Sequence, residues 1–172
     1  GKGSIVIKEP KSDFDKPISL LRDKTTPGEM IEARALIENN IAQLAGERVD
    51  EDSIKPIKAK LKEMKDSVEK GEPEEFLIAN KEFHLLIASS TKNSAIEKIM
   101  DSLHTYMDKE LWLEERLLYY KGNSKLLQYS YVIHKNMLDA IVIGDRKKIC
   151  ESVKKHFEEL EELQEMELEG LE

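Results

Sequence analysis

Three histidines of this sequence lie at positions that could bring them together around a metal ion. His84, His134 and His156 each lie three or four residues from apolar side chains, the spacing that puts neighbours on one face of an α-helix. Three helices would then each direct one imidazole into a shared core. Burying imidazoles costs free energy unless their nitrogens are paired, and Zn²⁺, Ni²⁺, Cu or Fe would pair them directly. The pattern predicts either a shared metal site or three hydrogen-bonded core histidines.

Two further residues bear on this candidate site. His104 also has apolar neighbours, Met100 and Met107, so spacing alone does not choose which three histidines share the core. Asn80 precedes His84 by one helical turn, which puts both side chains on the same face. An amide oxygen can bind an ion without adding negative charge. We therefore include Asn80 in the candidate site and leave His104 as an alternative member.

The helices that must position these residues are predicted from where the apolar periodicity starts and stops. Starts are indicated by capping residues and prolines, and stops by glycines. The first predicted helix runs from Pro27, capped by Thr26 and Glu29, to Gly46, the second from the cap Asp50 to Gly71, and the third starts at Pro73. The fourth runs from a cap at Asn93, or at Ser94 with Glu97, to a break at Gly122 and Asn123. The fifth runs from about Ser124 to Ile143, before Gly144, and the sixth starts from the cap Asp145. Short connections favour antiparallel neighbours, so the predicted fold is all-α, an antiparallel bundle of about six helices.

The first residues differ from the rest of the chain. Ser4–Lys8 is a short β-branched run, typical of a strand, with no second strand nearby to pair with it. The polar stretch that follows reads as a linker. We therefore divide the chain into residues 1–8 with an extended segment, residues 9–26 as a linker, and residues 27–172 as one all-helical domain.

Composition excludes several function classes. The 172 residues are 40% hydrophobic and 36% charged, which is typical of a globular domain, and the net charge is -8. An acidic chain does not favour nucleic-acid binding over its surface, since phosphate contacts need clustered Lys and Arg. No apolar stretch approaches the roughly 20 residues that span a bilayer, and no signal peptide opens the chain. A single cysteine, Cys150, allows no internal disulfide and indicates the cytoplasm.

The histidine segments resemble those of a known family. The segment Asn80-Lys-Glu-Phe-His84, with the run that ends at Asn93, resembles the Asp-x-x-Phe-His…Asn motif of the FCD domain. That domain is the C-terminal effector-binding domain of the FadR subfamily of GntR transcriptional regulators. The segments around His134 and His156 resemble the family's second and third histidine motifs, at matching intervals. The resemblance extends over roughly residues 27–163.

The resemblance implies a divalent metal, Zn or Ni, held by Asn80, His84, His134 and His156. The family has Asp at the first of these positions, so a site with Asn80 should bind metal more weakly and an anionic ligand more strongly. The family's effectors are small carboxylates, and its members act as homodimers. Residues 1–7 resemble the end of the wing of a winged helix-turn-helix domain. Operator DNA would then be bound by that N-terminal domain, most of which precedes this chain, and no membrane is implied.

One arginine could also contact the effector. Glu32-Ala-Arg34 resembles the family's Glu-x-Arg pattern, and the planar guanidinium suits a carboxylate because it donates two parallel hydrogen bonds. The alternative interpretation is an exposed helix arginine paired with Glu38.

Two other functions compete with a sensory domain. Three histidines around an ion with open positions also describe a metalloenzyme. A general base is missing from the pattern, however: there is no His-Glu-x-x-His, and Glu82 lies two residues before His84, on another face. The third possibility is a metal-free helical interaction domain with hydrogen-bonded core histidines. The sequence as a whole favours the sensory domain and no enzymatic activity.

Overall fold

The structure is a computed structural model that describes residues 25–107 and 116–170. Within these ranges six long helices follow one another: α1 Pro27–Arg48, α2 Glu51–Lys70, α3 Pro73–Ser90, α4 Ser94–Met107, α5 Ser124–Ile143 and α6 Arg146–Gly170. Residues 116–120 are helical as well. The predicted wing remnant at 1–8 and nearly all of the predicted linker at 9–26 lie outside the described residues. The all-α helical bundle is confirmed.

Local capping interactions explain most of the helix ends. At the start of α1 the Thr26 hydroxyl accepts a hydrogen bond from the Glu29 backbone, and the Glu29 carboxylate accepts one from the Thr26 N–H, a capping box. Asp50 caps α2 through the backbone N–H of Ser53. α2 ends at Gly71, whose φ of 71° is the left-handed conformation that glycine adopts without strain. These boundaries agree with the predictions.

One predicted helix end was wrong. α1 was predicted to end at Gly46 but continues to Arg48. Gly46 does not terminate the helix; it lies where α1 closely approaches α6. A Cβ added at Gly46 would lie 2.7 Å from Cδ1 of Ile149 on α6. At the start of α4 the structure selects Asn93 from the two predicted caps, since its side-chain oxygen accepts hydrogen bonds from the N–H groups of Ala95 and Ile96.

The helices enclose one main apolar core. α3 packs against α2 and α4, α6 packs against α1 and α5, and α2 also packs against α5. Fully buried side chains from these helices include Phe76, Phe83, Ile57, Met64, Met100, Leu127, Leu138, Ile141, Ile149 and Val153. None of the helices in the described ranges is long and apolar enough to cross a membrane. The core matters for function because the histidines lie inside it.

Candidate metal centre

His84 on α3, His134 on α5 and His156 on α6 converge in the core. Each contributes one ring nitrogen, and these three atoms all lie within 4.8 Å of one another. The exposed fractions of the three residues are 3%, 0% and 3%. The predicted inward orientation of all three is therefore observed. His104 is buried beside them but is not part of this group of ligand atoms.

Hydrogen bonds fix which nitrogen of two of these rings is protonated. Nδ1 of His134 lies 2.7 Å from the backbone oxygen of Ser130, an acceptor, so this nitrogen carries the hydrogen. Nδ1 of His84 lies 2.9 Å from Oε2 of Glu38, also an acceptor, and carries a hydrogen for the same reason. In the neutral rings both Nε2 atoms then present lone pairs, and they lie 3.2 Å apart. Two lone pairs at that distance repel each other unless a proton or a metal ion lies between them.

His156 completes the group as a neutral, unpaired imidazole. Both of its ring nitrogens are buried and have no hydrogen-bond partner within the part of the chain that the structure describes. Burial, followed by the neighbouring His134 and His84, holds the pKa of His156 well below its usual range. Burial and then His84 lower the pKa of His134 to about 3. At neutral pH these two rings are uncharged, which is the form that binds metal.

Asn80 lies one turn before His84, directly beside the histidine group. Its Nδ2 is 3.0 Å from Nε2 of His134, so the amide donates a hydrogen bond to the lone pair of that ring. The side-chain oxygen would face the same position after a half-turn of the amide group. Asn80 is 3% exposed. The structure thus places all four predicted residues together, with the amide nitrogen of Asn80 toward the imidazoles.

Arg34 on α1 is buried and paired. Its Nε lies 2.7 Å from Oε1 of Glu38, its Nη1 lies 3.0 Å from Sδ of Met107, and its guanidinium is 5.3 Å from the ring centroid of Phe157. The pairing with Glu38, which the alternative interpretation predicted, is therefore observed. That interpretation also predicted an exposed arginine, whereas Arg34 is only 2% exposed. The positive charge of Arg34 therefore lies close to the histidines, separated from His84 by the carboxylate of Glu38.

Glu38 contacts His84, and the sequence analysis did not predict this contact. Burial alone would raise the pKa of its carboxyl, but the charges of Arg34 and His84 outweigh that effect and hold the pKa well below its usual range. The ionised carboxylate joins Arg34 to His84. The only local signal was the position of Glu38 on the same face of α1 as Arg34, and nothing local indicated His84.

A small cavity adjoins the histidines. It has a volume of about 10 Å³, close to what a single water molecule needs, and its lining includes Glu38, His84, Met100 and Met137. Three of the four described ligand residues are imidazoles, a donor set that suits Zn²⁺ or Ni²⁺. The unpaired nitrogens of His156 and the facing Nε2 atoms would gain partners from an ion. The residues present therefore fit a divalent metal.

Comparisons with known proteins show what this chain is similar to. Residues 29–159 match the family model of the FCD domain. The chain is 25% identical over 165 residues to the HTH-type transcriptional regulator LutR of Bacillus subtilis, covering 95% of this chain and 74% of that protein. It is 26% identical over 164 residues to the Uxu operon regulator of Haemophilus influenzae, covering 92% of this chain and 58% of that protein.

A solved structure supports the fold. Streptococcus agalactiae GntR matches with a TM-score of 0.62 and 20% identity, over 86% of this chain and 59% of that one. At this identity the likeness concerns the fold alone. The chain therefore shares its helical architecture with that protein, while spanning little more than half of its length.

Proposed function

The chain belongs to the FCD domain family, and from that premise we propose that it is the ligand-sensing and dimerisation domain of a GntR/FadR-type transcriptional regulator. Its effector is a small carboxylate, which binds at a divalent metal ion held by His84, His134 and His156 together with Asn80. The observation that supports this most strongly is the pair of Nε2 atoms of His84 and His134, which face each other at 3.2 Å in the buried core.

The surrounding residues prepare the histidines for metal. Glu38 and the Ser130 carbonyl each accept a hydrogen from Nδ1, which fixes the ring orientation and leaves Nε2 as the donor atom. Phe83 packs edge-on against both His84 and His134 and keeps the rings in a dry environment. When bound, a zinc or nickel ion supplies positive charge and open positions for carboxylate oxygens. Asn80 adds no negative charge, so that positive charge stays available to an anion.

Arg34 is the proposed protein contact of the effector. Only its Nε is bonded to Glu38, and Nη1 faces the sulfur of Met107, which is a weak acceptor. A carboxylate oxygen is a much better acceptor for a guanidinium N–H than a thioether. An effector that displaces Met107 from Arg34 would therefore gain a charge-assisted hydrogen bond.

α1 offers a route from the site toward the N-terminus. It carries both Arg34 and Glu38, and it begins at Pro27, directly after the proposed linker. An effector that binds two arrangements of α1 with different affinity would shift their populations. The change would pass to a DNA-binding segment N-terminal to the linker. Such a regulator works in the cytoplasm as a homodimer on operator DNA.

An enzymatic role has less support. Glu38, the acid group beside His84, is engaged by Arg34 and His84 and is not free to act as a base. Glu82 pairs with Lys60, Nζ to Oε2 2.5 Å, on the surface. Both curated relatives named above are regulators by name. We therefore do not propose catalysis.

Metal binding is the first experiment. Protein purified without an affinity tag is dialysed against Zn²⁺ or, in a parallel sample, Ni²⁺, and bound metal per chain is measured by elemental analysis for the wild type, His134→Ala and His156→Ala. Ser152→Ala is the matched control, since Ser152 is buried on α6 one turn before His156 and, among the described residues, bonds only the Ile149 carbonyl. We expect about one ion per chain in the wild type and the control, and loss in both histidine variants.

The result also decides between the competing functions. Absence of bound zinc and nickel in the wild type would overturn the metal-dependent sensor and leave a metal-free interaction domain. Bound metal, followed by a rise in melting temperature on addition of short carboxylates, would support the sensor.

A further inference from the structure

His104 is a buried histidine that the proposed metal site does not use. It lies on α4, is 3% exposed, and its ring is tilted by 30° relative to that of His84, with the centroids 5.7 Å apart. Its Nε2 is buried and has no hydrogen-bond partner among the described residues. An unpaired buried polar atom of this kind costs free energy and calls for a partner.

A metal ion held by the other three histidines would not give Nε2 of His104 a partner. The ligand atoms that lie within 4.8 Å of one another come from His84, His134 and His156, and His104 is outside that group. Its Nε2 would remain unpaired when the metal site is filled. A ligand that binds next to the metal would supply the missing partner of His104.

The charges around His104 favour an anion as that partner. Met107, which lies one turn after His104 on the same face of α4, contacts Nη1 of Arg34. The charge of Arg34 is balanced by Glu38, whose Oε1 lies 2.7 Å from Nε of Arg34. Asn80 is neutral. With a divalent ion in place, the region would have a positive charge that one carboxylate does not balance.

We propose that His104 is an effector-binding residue and that the effector is a dicarboxylate, with one carboxylate at the metal and the other between His104 and Arg34. This inference rests on the proposed function, because it requires the metal-bound carboxylate. Nε2 of His104 donates a hydrogen bond to the second carboxylate, and Arg34 supplies the opposite charge.

Binding a dicarboxylate requires side chains to move. The cavity beside His84 has a volume of about 10 Å³, room for about one water molecule. Methionines line it on two sides, Met100 from α4 and Met137 from α5, and Met107 covers Arg34. Methionine is unbranched and changes rotamer readily. Displacement of these side chains makes room for the ligand and couples its binding to a change in packing.

The test compares two acids of the same chain length, succinate and butyrate, by calorimetric titration of the zinc-loaded chain. His104→Phe keeps the ring and removes the nitrogens, His104→Gln keeps an N–H at similar reach, and Thr105→Val is an exposed control on the same helix. We expect the wild type to prefer succinate. In His104→Phe succinate affinity should fall about tenfold or more, as is typical of a lost hydrogen bond to a charged group, while butyrate affinity and bound zinc stay unchanged.

The controls separate the possible outcomes. His104→Gln should recover part of the preference, and Thr105→Val should keep all of it. Zinc and butyrate binding without a preference for succinate would overturn this inference and leave the proposed function intact. An equal loss of both acids in His104→Phe and His104→Gln would indicate a packing role and also overturn it. Absence of any zinc or carboxylate binding in the wild type would overturn both proposals.

Discussion

Oε2 of Glu38 on α1 lies 2.9 Å from Nδ1 of His84 on α3, while Oε1 of the same carboxylate lies 2.7 Å from Nε of Arg34. One buried anion thus orients a candidate metal ligand and neutralises a buried cation. Removing its charge should affect both metal binding and folding.

Glu38→Gln is expected to lower zinc affinity by about 10- to 100-fold, because partners that orient a ligating histidine have effects of this size. The variant should also be destabilised by about 3–5 kcal/mol, since the buried Arg34 loses its counter-charge. Zinc competition with a chelator and urea denaturation measure the two effects. Glu32→Gln, exposed on the same helix, is the control. Unchanged zinc affinity in Glu38→Gln would contradict the role of Glu38.

Asn80→Asp should strengthen metal binding. A carboxylate next to the three imidazoles attracts a divalent ion, so we expect zinc affinity to rise at least about tenfold and affinity for carboxylates to fall. Without metal the variant should melt at a lower temperature than the wild type, because the added charge is buried without a partner. Added zinc should reverse that loss.

Asn136→Asp serves as the matched control for this substitution. It introduces the same charge at an exposed position of α5 and should change neither zinc affinity nor the response to zinc. The interpretation fails if Asn80→Asp and Asn136→Asp behave alike in melting experiments with and without zinc.

Gly46→Ala should destabilise the protein although alanine is the better helix former. The added Cβ would lie 2.7 Å from Cδ1 of Ile149, and overpacking of this kind costs about 1–3 kcal/mol. Combining it with Ile149→Val, which removes Cδ1, should relieve the clash. Urea denaturation of the two single variants and the double variant gives the coupling. If the losses in free energy of unfolding of the two single variants simply add in the double variant, the contact with Ile149 is not what makes alanine unfavourable at position 46.

Asp50→Asn should reveal a pH-dependent contribution to stability. The hydrogen bond from Lys92, then those from Ser53, hold the pKa of Asp50 below its ordinary value of 3.8. A depressed pKa in the folded state contributes stability above the unfolded-state value, and this contribution is lost as the pH falls through the folded-state value. Asparagine still caps α2 but lacks the charge.

Melting temperatures of wild type and Asp50→Asn should therefore differ near neutral pH and converge below about pH 4, the region set by the ordinary pKa of an aspartate. The difference will be small because Asp50 and Lys92 are largely exposed to solvent. A difference that stays constant down to about pH 3 would contradict the assignment of the effect to the charge of Asp50.

The sequence by itself determined the helical architecture and the inward positions of the site residues. Helix starts at Thr26 and Asp50 and ends at Gly71 and Gly144 depend on contacts within a few residues, so local types and spacing predict them. Likewise, a period of about 3.6 residues places His84 on the apolar face of its helix whatever the neighbouring helices are. The family motifs could be recognised for the same reason, since they are local segments.

Only the tertiary structure decided which side chains from different helices meet. Spacing alone did not distinguish His104 from the other histidines. Helix packing placed it beside His84 but outside the group of ligand atoms. The pairing of Glu38 with His84, and the burial of Arg34, depend on how α1 crosses α3 and α6. Gly46 is another case, because its closeness to Ile149 is set by helix approach and overrides its local tendency to end a helix. These contacts join residues far apart in the chain, and they are fixed by side-chain volumes and crossing angles throughout the core.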